Sequence, residues 1–397
     1  MPPLLPPTVV GAVVGYAERL HRALPGGHRV TSPLGAWLVL ALVAPGATGD
    51  TRAELEDALG LPVDVAAAAA SRLLAAPHPA VVAAAAAWVR DAARTPALDA
   101  WRGGLPAAVE RGDVPTQHAA DAWAADHTLG LIEKFPLALG PQTLLVLCSA
   151  IATKVSWNAP YELGGAFASW GVERTLVSSR GQDAILATPL GDVAVHTNSA
   201  DGLAVTSVIA PLGVADVDVL DVAHRIVADR ESFARRRLSD LPLGAQELWT
   251  ITERDGIAGR EHYRVELPAW EARSTHALLA DARTGFPAAV RAVAGLLGGA
   301  GSADASQVAL ARYTRVGFEA AAITAMAMGV SAMVRTEGRE RAATLHFAHP
   351  YAVVATAMTP RPPRPSRGQP WGPPPASPRT GVPVFAAWVE QAVDAQD

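Results

Sequence analysis

Residues 317–334 read GFEAAAITAMAMGVSAMV. After Gly317, Phe318 and Glu319 the side chains are small or medium-sized, and no further charge appears until Arg335. An amphipathic helix would need a polar face, and a half-buried strand would need a polar residue at every second position. The stretch has neither, so its role has to be read from what surrounds it.

The chain has 397 residues, 50% of them hydrophobic and 18% charged. That is enough to bury a large core and, by length alone, to make about two or three domains. A net charge of −5 and a pI near 6.1 give no reason to expect a nucleic-acid or anionic-membrane partner. The one dense basic run, Arg235-Arg236-Arg237, reads as a solvated helix face. A single cysteine, Cys148, excludes an internal disulfide and reads as a small buried hydrophobe. The histidines are scattered and no zinc spacing occurs, so no metal is expected. No run reaches the length of strongly apolar sequence a membrane span needs, since WLVLALVAPGA breaks at Pro45 and Gly46. The start, MPPLLPPTVVGAVVGYAERL, has no basic leader. A cytoplasmic location is the default expectation, with the extracellular space as the alternative. Only Lys134 and Lys154 are lysines among the 33 basic residues, and such usage points to a GC-rich bacterial genome.

Local signals place several elements. An amphipathic helix is expected over 8–24. Ser32-Pro33 starts another, since the serine oxygen accepts an orphan backbone N–H and proline at the first helical position sacrifices no bond. That helix should run from Pro33 to Val43. Thr51-Arg52-Ala53-Glu54 has capping-box spacing and opens a helix through Leu59, closed by Gly60. Residues 80–89, AVVAAAAAWV, stay open between helix and strand, because alanine favours one and the flanking Val and Trp the other. A helix over 119–133 should end near Gly130. Residues 143–157 read as one long, doubly buried strand. Later strands are expected at 191–197, 203–210, 248–253, 262–268, 306–314, 345–357 and 381–390. Helices and strands in mixed order, without a βαβ rhythm, indicate an α+β fold. The proline-rich run 359–382 is expected as an extended, solvated loop insertion joining two final strands.

These signposts together resemble one family, the serpins, over nearly the whole chain. TSPLGAWLVLALVAPGATGDTRAELEDALGLP is similar to the family's second and third helices, with Ser32, Pro33, Gly46, Gly49, Asp50, Thr51, Leu59 and Gly60 in matching places. DAWAADHTLGLI matches at Trp123, Thr128, Gly130 and Ile132, and VELPAW at Pro268 and Trp270. LVLCSAIATKVSWNAPY resembles the central strand that ends in a supporting lysine and tryptophan, here Lys154 and Trp157. The quoted stretch falls where serpins carry the reactive-centre loop. Its hinge would be Gly317, Phe318 and Glu319, the alanines Ala320, Ala321 and Ala322, and Thr324. The resemblance implies a single domain over 1–397 with a loop region over 315–344. It implies an α+β architecture of packed layers: a large mixed central sheet, two further sheets, about eight to nine helices and an exposed loop. It also implies a monomeric inhibitor of serine proteases, neither an enzyme nor a cofactor protein. The protease attacks the loop, forms an acyl-enzyme, and is dragged away as the cut loop inserts into the central sheet. No G-x-S-x-G, H-E-x-x-H, P-loop or dinucleotide fingerprint argues for an enzyme instead.

The composition suits that mechanism on physical grounds. A strand that lives first in solvent and then inside a closed sheet wants side chains that neither clash on insertion nor lose much entropy. Counting from Gly317 puts the scissile bond at Ser331-Ala332, with Val330-Ser331 as the neighbour. Small apolar side chains there suit an elastase-like or subtilisin-like protease, whereas Arg335, which would attract a trypsin-like one, lies further from the hinge. VRTEGRERAA is expected to fall after the cut. Two departures favour a non-inhibitory carrier, chaperone or protease substrate instead. Phe318 stands where a small residue is usual, and overpacking on insertion costs about 1–3 kcal/mol. On that reading Phe318→Thr should raise the inhibited fraction. In the polar cluster under the sheet Ser32 is kept, but Gly35, Ser149 and Gln307 replace the usual serine, asparagine and histidine; Ser149 and Gln307 have the groups to bridge one another.

Overall fold

The computed structural model describes residues 7–200, 202–257, 259–299, 303–318, 337–359 and 377–396. Among them are eight α-helices: α1 (Pro7–Ala23), α2 (Pro33–Val43), α3 (Gly49–Leu59), α4 (Val63–Ala75), α5 (Pro96–Gly104), α6 (Gln117–His127), α7 (Asp216–Ala228) and α8 (Phe286–Leu296). Helix α2 is apolar all round and is the buried hub that such a composition requires. Ser32 caps it as expected, its hydroxyl accepting from Gly35 N at 3.2 Å and donating to Val384 O at 2.9 Å. Trp37 and Trp101 send their indole N–H groups to Leu59 O and Leu42 O, fixing α3 and α5 around it. Gly60 closes α3 at φ 67°, a left-handed turn that a Cβ would strain. The Thr51 capping box does not form. Helix α3 begins two residues earlier, at Gly49, and Glu54 pairs with Arg291 of α8. A tertiary ion pair has taken the carboxylate that the local cap would have used.

Four sheets pack on these helices among the described residues. One antiparallel sheet runs in the order β1 (Arg29–Thr31), β19 (Pro383–Val389), β18 (Tyr351–Ala357), β10 (Leu203–Ile209), β9 (Gly191–Ala200), β8 (Ala184–Thr188). A second runs β11 (Gly244–Ala245), β12 (Trp249–Ile257), β17 (Glu337–His346), β13 (Glu261–Leu267), β7 (Leu176–Ser178), β6 (Glu162–Leu163), with β13 and β17 parallel. Two smaller sheets complete the fold. In one, β2 (Val82–Val89) lies between β3 (Val109–Gly112) and β4 (Leu145–Ala152). In the other the order is β14 (Trp270–Ala277), β15 (Ser306–Tyr313), β16 (Gly317–Phe318), β5 (Val155–Ser156).

The open segment 80–89 is a strand, β2, and its alanines alternate between two cores. Ala85, Ala87 and Val89 join the main core, while Ala86 and Trp88 face the cluster under α6. Burial on both faces outweighs the helix propensity of alanine. The strand expected over 143–157 is broken at Thr153-Lys154, giving β4 and β5. The one expected over 345–357 is split into β17 and β18, in different sheets, with Pro350 unable to donate to a ladder between them. Helix α6 stops at His127, short of the expectation. Leu129 and Gly130 turn left-handed, and Gly130 N bonds Ala125 O at 2.8 Å. Arg235, Arg236 and Arg237 are exposed but not helical; Arg236 N joins Ile185 O, and its side chain meets Asp192. Cys148 is half-buried on β4, and burial pushes its thiol pKa up. No single helix among the described residues is long and apolar enough to cross a membrane; the bent pair α3 and α4 has the length and composition, and packs against α2.

One seam gives the fold an acid limit. His21 of α1 and His224 of α7 are buried and stacked, ring centroids 5.3 Å apart, with Nε2 atoms at 3.3 Å. Burial holds both below the usual histidine range, His224 down to about 4. The folded pKa is therefore depressed, so this contribution is complete above the unfolded value near 6.5 and is lost as pH falls towards 4. His224 alone should remove roughly 3 kcal/mol across that window. Asp221, raised to about 6 by burial despite Arg22, acts in the opposite direction as pH rises. Urea unfolding of the parent and of His224→Leu at pH 7 and pH 4.5 isolates the histidine: the variant should lose less stability on acidification, and equal losses would contradict the assignment.

Candidate functional site: a short strand between β5 and β15

Gly317 and Phe318 form β16, which pairs antiparallel with Tyr313 of β15 on one side and with Ser156 and Val155 of β5 on the other. Two residues of the expected hinge thus occupy a strand position between β5 and β15. A tight turn sets them there. Thr314 N and Oγ1 both donate to Gly317 O at 3.0 Å, and Gly317 N donates to Thr314 Oγ1 at 3.2 Å. Trp157 grips the same turn twice, through N to Val316 O at 2.9 Å and Nε1 to Thr314 O at 3.0 Å. Tyr161 N donates to Arg315 O at 2.9 Å.

Phe318 is 2% exposed. Its ring meets Trp270 and Tyr313 edge-on, each centroid at 6.3 Å, in the T-shaped arrangement aromatic quadrupoles favour. Trp157 and Tyr161 complete the cluster around Tyr313. This corrects the expectation that Phe318 would overpack a closed surface at the first step of insertion, because the side chain is already seated. Burial pushes the Tyr161 and Tyr313 phenols up, so both stay protonated hydrogen-bond donors.

The polar cluster lies at the start of α2. Gln307 of β15 clasps Ser32 with both ends of its amide, accepting from Ser32 N at 3.0 Å and donating to Ser32 O at 2.9 Å. Ser149 of β4 donates to Gly35 O at 2.8 Å. Ser149 and Gln307 therefore do not bridge one another. Each bonds the same helical turn, Gln307 from β15 and Ser149 from β4 of a different sheet, and that turn joins them. A Cβ at Gly35 would lie 3.1 Å from Ser32 Oγ and 3.4 Å from Ser149 Oγ, so the glycine keeps this junction close.

A sequence profile of the family Serpin (serine protease inhibitor) matches residues 15–164. A putative serpin, serpin-Z12 of Oryza sativa subsp. japonica, is 33% identical over 155 residues, 36% of this chain; the chain spans 37% of that relative. Over the whole chain the architecture coincides with solved serpins. The native state of tengpin, a thermophilic serpin, superposes with a TM-score of 0.63 at 13% identity, covering 96% of this chain and 94% of that one. The fold is that of the serpins. The sequence match over residues 15–164 agrees with that fold. Tengpin in its latent state matches equally, with a TM-score of 0.63, 12% identity and coverage of 99% and 100%. Human thyroxine-binding globulin complexed with its hormone gives 0.64, 12%, 96% and 98%. This serpin architecture is therefore shared with proteins of different activity.

The expected site residues fall into three groups. Gly317, Phe318 and Trp157 come together at the hinge, and Ser32, Ser149 and Gln307 at the start of α2. Lys154 sits exposed in the break between β4 and β5. Glu319, Ala320, Ala321, Ala322, Thr324, Ser331 and Ala332 lie outside the described residues. Of the expected loop region 315–344, the first four residues form the hinge turn and β16, and the last eight belong to β17. VRTEGRERAA thus contributes to a strand from Glu337 onward, where Glu340 accepts from Arg254 Nε at 2.6 Å. The far end of the proline-rich run is not solvated. Arg379 is buried and donates to Leu73 O and Val81 O, with burial holding its pKa down to about 10. The reading of sequence missed Tyr161, Tyr313 and His196. Only the clustering of aromatics at 157, 161, 270 and 313 hinted at a shared seat.

Proposed function

We propose that this chain inhibits serine proteases by the suicide route of loop cleavage, acyl-enzyme trapping and loop insertion. The observation that carries the reading is the placement of Gly317-Phe318 between β5 and β15, antiparallel to both. A chain continuing from Phe318 in that direction would run beside β15 and towards β4, strands that are not paired with one another among the described residues. From Phe318 to a cut after Ser331 the loop supplies enough length, at roughly 3.3 Å per residue, to span some 40 Å. That distance carries an attached enzyme across the sheet. Ser331-Ala332 is the proposed reactive bond, with elastase-like or subtilisin-like targets, and the inhibitor is proposed to act as a monomer.

A second reading, a serpin-fold carrier or inert substrate, draws support from the grip of Trp157, Tyr161 and Tyr313 on the hinge. Held too firmly, the loop would stop at residue 318. The two readings separate in one experiment. The chain is incubated with elastase-, subtilisin- and trypsin-like proteases and run on denaturing gels. An inhibitor gives a complex that survives denaturation, and the new N-terminus of the released fragment should be Ala332. Complete turnover to cleaved chain with every protease would contradict inhibition.

A further inference from the structure

Beneath the hinge turn runs a buried chain of polar side chains that loop insertion, as set out above, does not use. Asp183, just ahead of β8, lies 2.6 Å from His196 Nδ1 of β9; His196 Nε2 lies 2.5 Å from the Tyr161 hydroxyl, which lies 2.5 Å from the Tyr313 hydroxyl of β15. All four residues are buried. They come from four separate pieces of chain and link the hinge to the sheet behind it. A carboxylate only accepts, so Nδ1 of His196 donates to Asp183, and the other ring nitrogen meets the Tyr161 hydroxyl, which in turn meets that of Tyr313. The hydrogen-bonded chain is continuous from Asp183 to Tyr313.

Packing holds this geometry closed. A Cβ at Gly181 would come within 2.5 Å of His196 Cε1 and 2.9 Å of Asp183 Oδ1, so the backbone lies directly on the pair. Tyr161 meanwhile donates its backbone N–H to Arg315 O at 2.9 Å. One residue therefore holds the hinge turn from two points: the hydroxyl on Tyr313, where the turn begins, and the amide on Arg315 within it. Tyr313 is also the residue paired with Phe318.

We propose that Asp183 and His196 are positioning residues for the hinge: they orient Tyr161 so that its hydroxyl and its amide fix the turn at the depth that seats Phe318, and so set the point from which the loop inserts. The purpose of this latch rests on the inhibitory reading, but its test does not need a protease. Hydrogen exchange is measured at single amides of the intact, uncleaved chain. In Tyr161→Phe and Tyr313→Phe, which keep the rings, the amides of residues 157 and 161 should exchange about tenfold faster, the effect of losing one buried hydrogen bond. Amides of β18 and β19 should be unchanged. His196→Ala should behave as Tyr161→Phe does, and His196→Gln, which retains a hydrogen-bonding side chain, should restore most of the protection. Unaltered exchange at residues 157 and 161 would overturn the proposal, as would equal acceleration across β18 and β19, which marks a merely structural role. If Tyr161→Phe fails to fold, Tyr313→Phe removes only the last hydroxyl of the chain and gives the same readout. A failed latch would leave protease trapping to be judged on the gels, and failed trapping would leave the exchange result standing.

Discussion

Phe318→Ala should lower the melting temperature by about 4–6 °C, which is what a loss of about 3–5 kcal/mol does to a chain of this size. The ring is enclosed by Trp270 and Tyr313 and lies on a strand that joins β5 to β15, so its removal leaves a cavity beside those strands. Phe318→Thr should also destabilise, and should bring no gain in the inhibited fraction. The overpacking cost that a large hinge residue suggests from sequence does not arise at a side chain already seated. Calorimetry of the two variants beside the parent checks the first point and the stoichiometry of inhibition the second. Melting at or above the parent's temperature would show that the seat does not hold Phe318.

What was legible in the sequence was local or periodic. Ser32-Pro33 started α2 because a cap and a first-turn proline act within a few bonds, and Gly60 closed α3 because a left-handed residue there answers to local sterics alone. The mixed order of elements gave the α+β class, and the spacing of the matching motifs led to the serpin fold. Long-range partners were not legible. Glu54 left its expected cap for Arg291, some two hundred residues away, and Ser149 and Gln307 met through the backbone of α2 instead of directly. The seat of Phe318 draws on Trp270 and Tyr313, and the chain beneath it on Asp183 and His196. No periodicity links these positions. An apolar or polar residue in sequence says that a partner exists, while topology decides which one. The alanines of β2 illustrate the same limit, since their helix propensity lost to burial on both sides.

Loop insertion, the step on which the proposed inhibition rests, would have a large energetic signature. A new strand between β4 and β15 gains a row of ladder bonds on each side, each worth on the order of 1 kcal/mol net, so full insertion should release roughly 10–20 kcal/mol. Over a chain of 397 residues that corresponds to a rise in melting temperature of about 10–25 °C. A trap that works by the proposed route must hold this free energy in store before the cut. The decisive measurement is therefore the melting temperature before and after a single cut in residues 325–336, with the cleavage site confirmed by the new N-terminus. A rise of about 10 °C or more after the cut is the expected result. A cleaved chain that melts with the intact one, or below it, would contradict loop insertion and with it inhibition by this route.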